Sequence, residues 1–190
     1  ADVGHQLEYW QFENSLPGTA STARLAFKRG VDMQATVVDL AQFNRDAQQD
    51  IYADSSGLLN RLHGQDVLLI FIESYGRASF ENDLYAPTHV ATLDRAAASV
   101  AQTGFAMKSG WLTSPTAGGQ SWLAHGTLSS GLWISDNGRY TAMLASKHKS
   151  LFQIAQEAGF RTSAVMPAIT MAWPESSAMG FELIFPAADI

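Results

Sequence analysis

Glu73 is the first residue whose type and position suggest chemistry, because it is a carboxylate that directly follows an apolar run. Residues 67–72 are all apolar, and such a run is typical of a strand buried on both faces of a parallel sheet. In open α/β sheets, ligands bind just outside the carboxyl ends of the strands, where a carboxylate can ligate a hard or borderline metal ion. Glu73 is therefore a candidate metal ligand. The alternative is a polar residue that only ends the strand and caps the next turn.

A second candidate is Ser121, which lies directly after a loop rich in glycine, serine and threonine at residues 109–120. Gly118 and Gly119 allow a backbone to approach a ligand closely, and the N–H groups at the start of a helix form a natural anion site. The sequence predicts a helix over residues 122–128, with Ser121 at or near its first turn. A hydroxyl there can attack phosphorus or sulfur if a metal ion lowers its pKa. The alternative is that Ser121 is only the helix N-cap.

A serine hydrolase acting on acyl esters uses the same residue differently. Its nucleophile elbow is Gly-x-Ser-x-Gly, whereas residues 119–123 read Gly-Gln-Ser-Trp-Leu and lack the second glycine. His125 lies four residues after Ser121, on the same helix face, a spacing that rarely suits a general base for its own turn. His125 is instead a candidate for substrate contact or packing. Trp173, in a later loop, either lines the same cleft or fills a structural turn.

Composition excludes several other classes of function. The 190 residues carry 12 basic and 18 acidic side chains, for a formal charge of −6, which argues against a nucleic-acid partner. The absence of cysteine excludes disulfides, thiolate zinc sites and cysteine nucleophiles. The longest apolar run has six residues, far fewer than the roughly 20 that a membrane-spanning helix needs.

The elements that must position these residues fall into two regions. Residues 1–64 are predicted to form a helical lead-in, because their apolar positions recur at helical spacing. Residues 65–190 alternate predicted strands with predicted helices, which indicates an α/β fold with a mainly parallel sheet flanked by helices. The predicted strands are residues 66–73, 105–109, 161–166 and 181–185. The predicted helices are residues 90–102, 122–128 and a helix that ends at residue 158, opened by a capping box at Ser150 and Gln153.

Taken together, the motifs resemble the alkaline phosphatase superfamily, and in particular its sulfatase-like branch. That branch includes sulfatases, lipoteichoic acid synthases and phosphoethanolamine or phosphoglycerol transferases. The apolar strand ending in Glu73 resembles the first metal-binding strand, and residues 121–131, Ser-Trp-Leu-Ala-His-Gly-Thr-Leu-Ser-Ser-Gly, resemble the nucleophile segment. Residues 154–162 resemble the family's helix–strand junction, and residues 179–185, Met-Gly-Phe-Glu-Leu-Ile-Phe, resemble the strand after it.

The resemblance implies a metal-dependent hydrolase or transferase of phosphate or sulfate esters that forms a covalent intermediate on Ser121. The metal would be zinc or manganese, with calcium or magnesium as alternatives, and its ligands would be Glu73 and Ser121. Thr116 is the second choice of nucleophile. His125 stands where sulfatases carry an arginine and is expected to contact the substrate, as are Gly119 and Trp173.

The resemblance covers residues 66–190 and only the N-terminal portion of the family's domain. The family completes its metal site with an Asp-His pair and further histidines, whereas no Asp-His pair occurs here and no histidine comes after His148. We therefore expect an incomplete α/β domain that lacks its C-terminal half, is inactive alone and self-associates. The parent protein is expected to be membrane-anchored and to act in the periplasm or outside the cell, on esters that include lipid headgroups. The alternatives are a non-catalytic α/β binding module and the acyl-ester hydrolase.

Overall fold

The computed structural model describes residues 21–72, 75–170 and 173–190. It is a mixed structure of helices and a small parallel sheet. The described helices are α1 (Ser21–Ala47), α2 (Ala78–Glu81), α3 (Ala86–Gln102), α4 (Ser121–Ser130), α5 (Asn137–Leu144), α6 (Leu151–Glu157) and α7 (Ser176–Met179). The strands are β1 (Ser163–Met166) and β2 (Leu183–Pro186), and short 3-10 turns lie at Asn60–Leu62 and Ala187–Asp189.

The sheet consists of two parallel strands, with Ser163 of β1 opposite Leu183 of β2 and Met166 opposite Pro186. This confirms the predicted strands at residues 161–166 and 181–185 and their parallel direction. The strands predicted at residues 66–73 and 105–109 are wrong for the residues described, since residues 66–72 and 105–109 have no strand pairing. An apolar run gives a segment the tendency to extend, but a strand forms only where a partner supplies backbone hydrogen bonds.

The predicted helices are confirmed, with small shifts of their ends. Helix α3 begins at Ala86 rather than at residue 90, because Pro87 occupies a first-turn position where its missing N–H costs nothing. Helix α6 opens with the predicted capping box. Ser150 Oγ accepts from the Gln153 N–H at 3.1 Å, and Gln153 Oε1 accepts from the Ser150 N–H at 2.8 Å.

One apolar core joins the C-terminal end of α1 to the later helices. Its buried members are Phe43, Ala47, Leu123, Ile134, Met143 and Met179. Arg139 of α5 reinforces this packing, because its guanidinium makes an ion pair with Asp39 of α1 and lies over the Phe43 ring. The last turns of the helical lead-in therefore share a core with residues of the 65–190 region.

Buried polar groups fix the relation between α6, the sheet and α7. Ser150 Oγ donates to the Met179 carbonyl at 2.6 Å, and Thr162 Oγ1 donates to the Gly180 carbonyl at 2.7 Å. Gly180 itself has a left-handed backbone and lies against α6, so an added Cβ would come within 2.8 Å of the Gln153 backbone nitrogen. These contacts hold the end of α7 on the start of α6.

His148 connects two distant parts of the chain. Its side chain is buried, with Nδ1 at 3.0 Å from the Gln49 carbonyl oxygen and Nε2 at 2.7 Å from the Ser130 carbonyl oxygen. Gln49 comes shortly after α1, and Ser130 ends α4. The imidazole therefore satisfies a carbonyl group that α4 leaves without an intrahelical partner.

Among the described helices, none combines the length and the apolar character that a membrane crossing requires.

Gly180 and Gly159 form a matched pair for testing this packing. Both come after helices and have left-handed backbone, at φ +87° and φ +86°, but an added Cβ at Gly159 would meet nothing within 4 Å. We expect Gly159→Ala to lower the free energy of unfolding by about 1–2 kcal/mol through backbone strain alone. Gly180→Ala should lower it by about 1–3 kcal/mol more, because the added methyl group also clashes with α6. Urea unfolding of both variants measures the difference, and equal losses would show that the close approach at Gly180 contributes nothing.

Candidate functional site

Ser121 is the first residue of α4, and the backbone just before it is unusual. Gly119 and Gln120 both have left-handed backbone, at φ +66° and φ +53°. A non-glycine residue in this region is uncommon, and such strained positions are concentrated at functional sites. Ser121 is partly exposed. The tight reversal at residues 119–120 therefore presents the serine at the open end of the helix.

The interpretation of Ser121 as the N-cap is wrong. The N-cap position belongs to Gln120, whose side chain makes no capping hydrogen bond, although its carbonyl accepts from the Leu123 N–H at 3.0 Å. Ser121 is inside the first turn, so its hydroxyl is not required for capping. The first-turn N–H groups of a helix carry partial positive charge and favour an anion.

The loop that leads to Ser121 is open. An added Cβ at Gly118 or at Gly119 would meet nothing within 4 Å, so a ligand can approach the backbone of both glycines. Thr116, the second candidate nucleophile, lies in a local turn, where its N–H donates to Ser114 Oγ at 3.2 Å and the two hydroxyl oxygens are 3.3 Å apart. Of the two candidates, Ser121 has the helix terminus beside it and Thr116 has a neighbouring hydroxyl.

The remainder of α4 is anchored in the core. Leu123 is fully buried, and Gly126 lies so close to α5 that an added Cβ would be 3.1 Å from Ile134 Cδ1 and 3.4 Å from the Tyr140 ring. Two side-chain bonds extend the attachment. Trp122 Nε1 donates to Asn137 Oδ1 at 3.1 Å, and the Ile134 N–H donates to Thr127 Oγ1 at 3.0 Å. The helix is thus fixed along one side while its N-terminal end stays accessible.

One ring contact joins the apolar run at residues 67–72 to helix α4, which begins with Ser121. The Phe71 ring lies on the His125 ring, with centroids 4.1 Å apart and planes inclined by 40°. Phe71 belongs to the apolar run before Glu73, and His125 is one turn after Ser121. Sequence reasoning did not identify Phe71 as a site residue, because a contact between residues so far apart in the chain leaves no signal in the local pattern.

The predicted metal ligand Glu73 lies outside the described residues. Among the residues that the structure does describe, no group of three or more His, Asp or Glu side chains could hold a metal ion. Ser121 fits as one oxygen ligand of a divalent metal ion. The other predicted ligand is not placed, so the described part of the chain does not by itself make up a metal centre.

Trp173 is placed against the apolar core. Its ring packs on the buried cluster and lies 5.7 Å from the Phe181 ring, and its carbonyl accepts from Ser176 Oγ at 2.7 Å. The structure therefore gives Trp173 a packing role in a turn. Its predicted contact with a substrate stays a prediction.

Charged side chains are absent from the sequence around Ser121. No Asp, Glu, Lys or Arg occurs between Lys108 and Asp136. The charge nearest this loop in the described contacts therefore comes from outside the stretch, since the guanidinium of Arg77 lies 5.3 Å from the centre of the Trp111 ring. Within the stretch, the helix N-terminus supplies a backbone dipole, and His125 is the one histidine. Comparisons of the chain with protein-family models, with curated proteins and with solved structures found no match.

Gly126 and Gly30 test whether close packing positions α4. Both lie inside helices, but an added Cβ at Gly30 of α1 would meet nothing within 4 Å. Gly30→Ala should stabilise the protein by about 0.5–1 kcal/mol through helix propensity. Gly126→Ala should lose this gain, because the methyl group displaces Ile134. Its free energy of unfolding should be at least about 1 kcal/mol lower than that of Gly30→Ala. Thermal or urea unfolding gives both values, and equal stabilisation would contradict the close approach.

Tyr140, which packs beside Gly126, gives a pH-dependent prediction. Burial raises the pKa of Tyr140, and the negative charge of Glu175 raises it further. The folded protein thus keeps this proton to higher pH than the unfolded chain. The contribution to stability is complete below the ordinary tyrosine pKa of about 10 and is lost as pH rises through the folded-state value.

Tyr140→Phe should therefore reduce the loss of stability at alkaline pH, as measured by urea unfolding at a series of pH values above neutral. Tyr85→Phe is the matched control, because its ring is exposed and the substitution also removes one phenol. If the free energy of unfolding falls with pH equally steeply in Tyr140→Phe and in Tyr85→Phe, the raised pKa of Tyr140 is refuted.

Proposed function

We propose that this chain is the nucleophile-bearing part of a metal-dependent hydrolase or transferase of phosphate or sulfate esters, with Ser121 as the nucleophile. The observation that carries the proposal is the position of Ser121 at the open N-terminus of α4, inside the first turn and behind a loop with two accessible glycines. The hydroxyl and the first-turn N–H groups lie at the same end of the helix. That arrangement can bind an anionic ester group and attack its central atom.

The contact between Phe71 and His125 supports the same proposal from a second direction. It places the segment that leads to Glu73 beside the helix that begins with Ser121. The resemblance to the sulfatase-like branch requires these two segments to meet, since one supplies a metal ligand and the other supplies the nucleophile. His125, whose ring lies on Phe71, would then contact the ester.

The chemical steps assigned to this chain are few. The Ser121 oxygen loses its proton and forms a bond to phosphorus or sulfur, while the bond to the ester's alcohol breaks and that alcohol takes up a proton. Water or an acceptor alcohol then attacks the same phosphorus or sulfur, breaks its bond to the Ser121 oxygen and gives up the proton that restores the serine hydroxyl. First-turn N–H groups of α4 stabilise the charge on the non-bridging oxygens in both steps. A divalent metal ion bound by Glu73 and Ser121, zinc or manganese with calcium or magnesium as alternatives, would supply the charge that lowers the pKa of the hydroxyl.

The proposed substrates are phosphate or sulfate esters, including lipid headgroups, and not nucleic acid. The proposed setting is the periplasm or the extracellular space, with a membrane-anchored parent protein. The structure gives no support to a serine hydrolase of acyl esters. The last position of its Gly-x-Ser-x-Gly motif falls on Leu123, which is a fully buried core residue and not a glycine.

The test uses the natural protein that contains these residues, assayed with an aryl phosphate and an aryl sulfate in the presence of Mn²⁺ or Zn²⁺. Ser121→Ala should lower turnover by a factor of roughly 10³ or more, because it removes the group that forms the covalent bond. A chelator should also abolish turnover. Mass spectrometry of the protein quenched during turnover should find the phosphate or sulfate on Ser121.

Thr116→Ala is the matched control, because it removes the hydroxyl of the second candidate nucleophile. It should retain most of the activity. Full activity in Ser121→Ala, or loss of activity in Thr116→Ala alone, would reject Ser121 as the nucleophile. Labelling of Ser121 by an organophosphonate that is unaffected by a chelator would favour the acyl-ester hydrolase instead.

A further inference from the structure

His148 is a buried histidine whose two ring nitrogens both face carbonyl oxygens. The side chain is only 8% exposed, Nδ1 lies 3.0 Å from the Gln49 carbonyl oxygen, and Nε2 lies 2.7 Å from the Ser130 carbonyl oxygen. In the described part of the chain, no backbone N–H donates to either of these carbonyl groups. The imidazole is therefore the donor on which both carbonyl groups depend.

This arrangement decides how many protons the ring carries. A carbonyl oxygen can only accept a hydrogen bond, so each of the two ring nitrogens must carry a hydrogen. A neutral imidazole has one N–H and one lone pair, and that lone pair would face a carbonyl oxygen at 2.7 or 3.0 Å with no hydrogen between them. A buried acceptor left in this way is costly. The two contacts together therefore call for the imidazolium, which donates from both nitrogens.

The position of the ring in the fold favours that positive charge. Gln49 comes two residues after Ala47, the last residue of α1, and Ser130 is the last residue of α4. The ring thus lies at the C-terminal ends of two helices, where the carbonyl groups carry partial negative charge. A protonated histidine at a helix C-terminus is stabilised by that charge.

The charged side chains around His148 are paired with one another and not with its ring. Lys149 Nζ lies 2.9 Å from Glu157 Oε1 and 3.6 Å from Asp50 Oδ2, and Lys147 is exposed. The other titratable groups on the last turns of α1 and on α4 are Arg45, Asp46 and His125. Within the described ranges, no carboxylate makes an ion pair with the His148 ring. The carbonyl groups of Gln49 and Ser130 are therefore the groups that stabilise its charge.

We infer that His148 is protonated on both nitrogens in the folded protein and forms a pH-dependent link between the end of α1 and the end of α4. Loss of one proton leaves one of the two carbonyl oxygens facing a lone pair. The contact to Gln49 is the longer of the two, so Gln49 is the group that should separate from the ring. The link does not depend on the chemistry proposed for Ser121, because it acts on folding.

The direction of the pH effect follows from the number of protons bound. A histidine in an unfolded chain releases its proton near pH 6.5, whereas the folded protein needs that proton for the second hydrogen bond. Above about pH 6.5 the folded protein therefore binds more protons than the unfolded chain, and its stability falls as pH rises. The ratio of folded to unfolded protein should drop by up to about tenfold per pH unit. Below about pH 6.5 the contribution of the link is complete.

The experiment is urea unfolding of the wild type and of His148→Gln between about pH 5.5 and 8.5, a range in which ordinary carboxylates and lysines keep their charge. Glutamine carries no charge at any of these pH values. The destabilisation caused by His148→Gln should be largest at the acid end and should shrink by about tenfold or more in the folded-to-unfolded ratio as pH rises. His63→Gln is the matched control, because it removes an exposed histidine and should leave the pH dependence as in the wild type.

A destabilisation by His148→Gln that is constant with pH, or that grows as pH rises, would overturn the inference, because a neutral buried ring gives those results. A second measurement needs no substitution and decides the matter if His148→Gln fails to fold. Proton–nitrogen NMR of the wild-type ring at about pH 7.5, where an ordinary histidine is mostly neutral, should show a hydrogen on both nitrogens of His148. A ring with one N–H at that pH would also overturn it.

Discussion

The close packing of α4 on the core is the constraint on which the candidate site depends. Leu123 is fully buried and Gly126 lies against Ile134, so the helix can neither rotate nor withdraw without opening the core. The other end of α4 is held by His148, whose ring nitrogen lies 2.7 Å from the Ser130 carbonyl oxygen. Because the helix is held along its length, Ser121 is fixed as well. A nucleophile needs this kind of preorganisation, since the reacting atoms must be held in place before the reaction begins.

Local signals predicted much of the fold, because their causes lie within a few residues. The capping box at Ser150 and Gln153 is a reciprocal pair of hydrogen bonds that any helix with this sequence can make. The Gly-Phe-x-Thr junction at residues 159–162 was likewise readable, and Thr162 proves to bind the Gly180 carbonyl at the start of the segment that forms β2. These motif residues have clear packing roles here, so their presence alone does not distinguish a catalytic fold from a structural one.

Pairing across long stretches of sequence could not be predicted in the same way. Residues 67–72 have the apolar composition of a central strand, yet they pair with no strand in the described part of the chain. Pairing depends on whether the edge of another strand lies beside the segment, which the local sequence does not encode. The contact of Phe71 with His125 and the packing of Trp173 have the same non-local origin. For the candidate site, the sequence predicted that a helix begins near Ser121 after a glycine-containing loop, and the structure has both, but the N-cap alternative was assigned to the wrong residue. The chemical role of Ser121 stays a prediction. The left-handed backbone of Gln120 moved the cap by one position, and glutamine gives no sign of that conformation.

The uncharged stretch around Ser121 places a limit on how the proposed chemistry can work. A phosphate or sulfate ester is an anion, and the chain as a whole carries a formal charge of −6, so the long-range field opposes binding. No Lys or Arg lies between residues 109 and 135, which leaves the α4 terminus, equivalent to roughly half a positive charge, as the local attraction in that stretch. The attraction of half a charge cannot offset the free-energy cost of moving a charged ester from water into a pocket. The proposed function therefore calls on cations from outside this stretch. One is Arg77, whose guanidinium lies 5.3 Å from the centre of the Trp111 ring, and the other would be the divalent metal ion that a carboxylate such as Glu73 would hold.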